Sequence, residues 1–211
     1  ADAAWAADEE VKKAVEVIQA WDGEYLPEAR GAALLKFWRL ACGEKIDLHP
    51  LHAEGRLDDA ARKEAMTLFR ATIDSMKERY GRWDIPWGEA HVVGRGGTYF
   101  PAPGADFDKG DKESNFSETL MDVRSAEDPT KPGRFIANSG SMAVILMFFG
   151  PDGVESFTCT PWGQSAHPES PHYVDQAEKV YSKRAMKNTW WKKEDLLQHV
   201  ESQRTFRWPR E

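Results

Sequence analysis

The sequence predicts an α+β fold: helical over residues 1–82, then antiparallel sheet with closing helices over 83–211. Two observations carry that expectation. Before residue 82, apolar residues recur at helical spacing in segments that begin near aspartate and stop at glycine. After it they fall into short runs divided by Gly, Pro, Asn and Ser clusters, the longest being Met142 to Phe149. No repeat, low-complexity tract or linker divides the chain, so both parts are read as pieces of one larger core.

The first helix is expected over 8–22, with Asp8 as cap and Val11, Ala14, Val15, Ile18 and Trp21 on one face; Gly23 stops it. A second, over 27–42, turns Ala33, Leu34, Phe37, Trp38 and Ala41 inward and ends at Gly43. The longest begins at Asp58 and Asp59 and runs to Tyr80, burying Ala65, Phe69, Ile73 and Met76 before Gly81. Between these helices, Asp47, His49 and His52 form the most metal-like cluster, although Pro50 breaks the helix that would align them.

The sheet part opens with a strand entered from Trp87-Gly88-Glu89-Ala90-His91-Val92-Val93. Gly94-Arg95-Gly96-Gly97 then makes a turn, because no helix pattern follows it as a phosphate loop requires. Asp106 to Glu113 resembles a calcium loop with its glycine one position early and no acid at the twelfth, so an acidic surface loop is preferred. Strands are expected over 118–124 and from Arg134 to Ala137, the latter interrupted by Asn138-Ser139-Gly140-Ser141. The run from Ser141 to Phe149 reads as a strand covered on both faces; Gly150-Pro151-Asp152-Gly153 closes a hairpin, and Val154 to Thr160 returns. Helices over 171–183 and 193–202 follow, with Leu196, Leu197 and Val200 inward, and Thr205 to Trp208 finishes as a strand.

Composition bounds the function classes. A 41% hydrophobic, 30% charged chain of 211 residues belongs with globular proteins, and a net charge of −7 argues against nucleic acid as partner. No apolar run is long enough to span a membrane. Cys42 and Cys159 imply no disulfide framework. The start Ala1-Asp2-Ala3-Ala4 lacks an initiator Met and a signal pattern, so a processed product, a mature secreted form or a fragment is expected, and Ala1 has no nucleophilic side chain.

The segment from Pro161 to Gln176 concentrates the chemistry. Ser165, His167, Ser170, His172 and Asp175 supply every part of a Ser, His, acid set, yet Gly163-Gln164-Ser165-Ala166-His167 lacks the second glycine of a nucleophile elbow. A turn locked by side-chain hydrogen bonds, with a helix opening at Ser170 or Pro171, is the preferred reading.

Gly163-Gln164-Ser165, Ser170-Pro171-His172-Tyr173 and Asp175-Gln176 resemble the near-C-terminal signature of the penicillin amidase family, which includes penicillin acylases and acyl-homoserine lactone acylases. The tail from Trp190 through Glu194-Asp195, His199 and Glu201-Ser202-Gln203 is similar to the end of penicillin acylase β chains. Ala20-Trp21-Asp22-Gly23 and Trp87-Gly88-Glu89-Ala90-His91 extend the likeness over most of the chain. Ala166 departs from it, standing where many relatives carry glycine.

The resemblance implies the C-terminal portion of a four-layer αββα N-terminal-nucleophile hydrolase sandwich, periplasmic or secreted. Its partners would be the remaining β chain and the α chain of one precursor, and its substrate a small acyl amide. It implies no cofactor, and any structural calcium of the parent enzyme would have its ligands outside this chain. The catalytic serine would also lie elsewhere, which leaves Gly163, Gln164, Ser165, Ser170, Pro171, His172, Tyr173, Asp175 and Gln176 as a structural signature. His172 and Asp175 are expected to hold the turn, with Tyr173 packed inward. Two rival readings are a non-catalytic α+β binding module and a metal hydrolase built on Asp47, His49 and His52.

Overall fold

A computed structural model describes residues 7–43, 45–47, 54–105, 123–140, 143–151 and 153–207. The chain begins with three helices. Helix α1 (Glu9–Ala20) opens where the Asp8 carboxylate accepts the backbone N–H groups of Glu10 and Val11, satisfying donors that the first turn leaves free. Helix α2 (Ala32–Gly43) starts later than residue 27. Gly31 is left-handed at φ +92°, and the preceding turn is committed to the next part of the chain: its Ala29 and Pro27 carbonyls accept N–H groups from Trp87 and Gly88. Helix α3 (Asp59–Tyr80) keeps its expected bounds, capped by Asp58 and closed by left-handed Gly81.

Val11 and Ala14 of α1, Leu34 of α2, and Phe69 and Ile73 of α3 meet in one buried cluster with Trp87. Glu10 ties α1 to α3 through Lys77 at 2.9 Å and Arg70 at 2.9 Å, and these contacts, that with Lys77 first, hold its carboxyl below the usual range. Tyr80 reaches from the end of α3 to the Gly133 carbonyl at 2.6 Å, linking the helical part to the sheet part. Burial pushes its phenol up to about 12.

The sheet part departs from expectation at its first step. Residues Trp87–Ala90 form a short helix, α4, and the strand begins only at His91. Pro86 fixes the entry, and the Trp87 indole donates to the buried Gly104 carbonyl at 2.8 Å, holding this turn against the core. Strands β1 (His91–Arg95) and β2 (Thr98–Pro101) make a hairpin whose Gly96 and Gly97 sit at φ +62° and +86°, as a two-residue turn requires. Strands β3 (Val123–Glu127) and β4 (Phe135–Gly140) complete a sheet ordered β2-β1-β4-β3. It is antiparallel except where β1 runs parallel to β4. Strand β4 continues through Asn138 to Gly140, where turn chemistry was expected. Pairing with β3 overrides local propensity there, and a register shift between Arg124 and Ser125 takes up the irregularity.

A second sheet holds β5 (Val144–Gly150), β6 (Gly153–Cys159) and the short β7 (Lys187–Asn188) in that order. The expected hairpin is present, with Val144 opposite Cys159 and Gly150 opposite Gly153. Val93 and Ala137 from the first sheet, Cys159 from the second, and Ala177 and Tyr181 share a second buried cluster, so the two sheets meet there. The described residues form an α+β arrangement of helices followed by largely antiparallel sheets.

Four further expectations are corrected. Strand β5 is not covered on both faces: Ile145 to Phe149 are 42% to 79% exposed, and only Val144 reaches the second cluster. The helix expected over 171–183 is reduced to α5 (Asp175–Lys179) and a 3₁₀ turn (Tyr181–Lys183) ending at left-handed Arg184. The last helix, α6, is only Lys193–Leu197; Leu196, Leu197 and Val200 are exposed, and among the described residues 205–207 form no strand. The loop residues His49 and His52, the acidic loop 106–113, and Trp208 lie outside the described residues.

Candidate functional site

The segment from Pro161 to Gln176 folds as a compact turn held from both ends. Backbone bonds fold it: the Ser165 N–H donates to the His172 carbonyl at 3.1 Å, and that of Ala177 to the Trp162 carbonyl at 2.6 Å. Gly163 lies so close to the returning strand of the turn that a Cβ there would collide with the His172 carbonyl oxygen. The close backbone approach of this segment therefore falls on Gly163, with the position of Ala166 exposed.

The two serines act on the backbone. Ser165 Oγ accepts the His167 N–H at 3.2 Å, and Ser170 Oγ accepts the His172 N–H at 3.1 Å, each two residues on. This geometry explains why no helix opens at Ser170 or Pro171. The Tyr173 N–H is drawn to the Ser170 carbonyl at 3.0 Å, closing a turn, and α5 starts at Asp175. Gln176 is buried, and its side-chain oxygen accepts the Thr160 N–H at 3.3 Å, fastening the helix start to the end of β6. Gln164 and Pro171 are exposed.

The His172 ring does not face a serine. Its Nδ1 lies 2.9 Å from Asp175 Oδ2 and its Nε2 3.0 Å from Glu201 Oε2. Hydrogen bonding to Asp175, then to Glu201, raises the imidazole's pKa above its ordinary value. A ring engaged by two carboxylates and two hydroxyls spent on backbone donors do not make the relay that nucleophilic serine chemistry uses. The cysteines offer no alternative: both thiols are free and buried, and burial pushes that of Cys42 up to about 11. Among the described residues no three His, Cys, Asp or Glu side chains converge as a metal site, and no helix is long and apolar enough to cross a membrane.

The organising side chain is Arg95, which the sequence placed only in a glycine-rich turn. From the end of β1 its guanidinium donates to the carbonyls of Tyr173 (2.9 Å), Gly163 (3.3 Å) and Ser165, while its cationic carbon lies 4.2 Å from the centre of the Tyr173 ring. Trp162 flanks it on another side at 5.7 Å. Tyr173 is half-buried beneath this cation, and its ring also fills the space beside Gly96, where a Cβ would meet it. One arginine thus joins the first sheet to three carbonyls of the turn. A lone Arg among glycines gives no sequence signal of partners about seventy residues away.

The sequence from residue 2 to 196 matches the profile of the penicillin amidase family. The chain belongs to that family. Among solved structures, a thermostable penicillin G acylase from Alcaligenes faecalis aligns with it at a TM-score of 0.45 and 17% identity, over 97% of this chain and 44% of that one. The chain therefore spans less than half the length of the acylase it matches. Within the matched residues, 161–176 form a folded turn whose polar groups serve the backbone, one cation and one imidazole.

Proposed function

We propose that this chain is the C-terminal β-chain segment of an N-terminal-nucleophile amidohydrolase that cleaves N-acyl amides of the penicillin or acyl-homoserine lactone type. Its nucleophilic serine lies in a stretch of the polypeptide outside these residues. The chain contributes scaffold: helices α1 to α3, two sheets, and the turn at 161–176 that Arg95 holds to them.

The observation that carries this reading is β5. In the described sheet it is an edge strand, with consecutive apolar residues Ile145 to Phe149 exposed on both faces and without a proline, a charge or a bulge to guard it. An edge of that kind is an association surface, and a strand apolar on both faces calls for a layer on each. The remaining β chain and the α chain of the same precursor are the proposed covers, completing a four-layer sandwich. Catalysis in the assembled enzyme then follows from the N-terminal serine, whose own α-amino group, with a pKa near ~8, can take and return the proton at neutral pH. The assembly is proposed to act in the periplasm or outside the cell.

The test uses phenylacetyl and long-chain acyl amides as substrates. The complete gene product is expected to form an acyl-enzyme on a serine beyond these residues, and the isolated chain none. Stoichiometric acylation of the isolated chain would reject the assignment.

A further inference from the structure

His172 joins two segments that are far apart in sequence. Asp175 stands at the start of α5 in the same turn, with its side chain 22% exposed; Glu201 arrives from the tail beyond α6 and is 78% exposed. A neutral imidazole has one N–H and one lone pair, so only the doubly protonated ring can donate to both carboxylates at once. We propose that His172 is a pH-sensitive clasp that ties the C-terminal tail, residues 193–207, to the turn at 161–176. It is closed while the ring is charged and released from Glu201 when the ring is neutral.

The structure decides which contact opens. The second carboxylate oxygen of Asp175 is buried without a hydrogen-bond partner among the described residues, so losing His172 as well would leave this side chain unsatisfied away from water. The remaining proton therefore stays on Nδ1, facing Asp175. The Nε2 lone pair is then turned toward an acceptor, and Glu201 swings into water at little cost because it is already largely there. The tail has few competing anchors: Leu196, Leu197, Val200 and Phe206 are all exposed.

The direction with pH follows from the ring's environment. Asp175 and Glu201 are the charged groups acting on it, and both favour the imidazolium. A group whose folded pKa is raised contributes fully below its unfolded value of 6.5 and loses that contribution as pH rises through the higher folded value. The clasp accordingly holds fully below the ordinary histidine value and lets go as pH rises through the raised folded value. His199, the tail's other imidazole, stacks on Trp190 with ring centroids 4.4 Å apart, so a His199 variant serves as the control. The inference does not depend on the acylase reading.

The experiment follows the full chain from about pH 5.5 to about pH 9, the range in which a histidine titrates. It measures hydrogen-exchange protection factors for residues 193–207, with the His172 titration recorded by NMR. Protection of the tail is expected to fall about two- to fivefold as His172 loses its proton, the size an exposed charge pair supports. Glu201→Gln should give the lower protection at every pH, and His199→Gln should keep the wild-type profile. Tail protection that stays constant while His172 titrates would overturn the proposal. So would a Glu201→Gln profile equal to wild type, or a pH dependence that disappears in His199→Gln.

Discussion

Replacing Arg95 with methionine removes the guanidinium while keeping much of the side chain's apolar length. The structure then leaves the carbonyls of Gly163, Ser165 and Tyr173 without their shared donor and strips the cation from the Tyr173 ring. Hydrogen bonds from a charged donor contribute about 1.5–3 kcal/mol, and the ring contact about 0.5–1 kcal/mol at a partly exposed site. The carbonyls share one donor group and water can reach part of the site, so these contributions do not simply multiply with the number of bonds. The expected loss is about 2–4 kcal/mol, or roughly 5–12 °C in melting temperature for a chain of this size. Lysine at the same position keeps a charge but not the planar fork, and should recover about half of the loss. Urea and thermal unfolding followed by circular dichroism measure both variants. Stability of Arg95→Met within about 0.5 kcal/mol of wild type, the range of an ordinary surface change, would refute the anchoring role. Equal stability of Arg95→Lys and wild type would refute the importance of the fork.

Two other perturbations probe the same framework. Gly163→Ala would drive a Cβ into the His172 carbonyl and the Tyr173 backbone; because neither is a flexible side-chain end, a loss of about 1–3 kcal/mol is expected in denaturant melts, and an unchanged midpoint would contradict the close approach. Asp128, in the loop between β3 and β4, is held down to about 2 by the Thr130 hydroxyl first, then by the Thr130 N–H and the Arg134 guanidinium. Its depressed pKa means that its contribution is present above the ordinary carboxylate range and disappears as pH falls through about 2. The stability difference between wild type and Asp128→Asn should accordingly vanish in strong acid, whereas a difference of equal size at neutral and acid pH would count against the ionic contact.

Much of the helical part could be read from local rules because its determinants are local. Asp8 and Asp58 cap the N-termini of α1 and α3 as their positions suggest, and Gly81 closes α3 in the left-handed conformation that its place predicts. The β5–β6 hairpin follows equally from two apolar runs around Gly150 and Gly153. Where distant partners intervene, sequence rules lose to them. Asn138 and Gly140 stay in β4 because β3 supplies a ladder, and α2 waits until Ala32 because carbonyls at Pro27 and Ala29 are committed to Trp87 and Gly88. At the signature, the residue types indicated a locked turn, while the identity of the lock required the fold to bring Arg95 and Glu201 to it.

The sequence by itself determined the family, the aspartate caps of α1 and α3, the stop of α3 at Gly81, and the turn-forming character of residues 161–176. These rest on backbone preferences and on bonds between near neighbours, which a string of residues displays directly. Only the tertiary structure decided that Arg95 holds the turn, that His172 spans two carboxylates, and that Ile145 to Phe149 face solvent in this chain. Each of these depends on which surfaces come together or are left without a neighbour, and apolar character in a strand demands a cover without naming what supplies it.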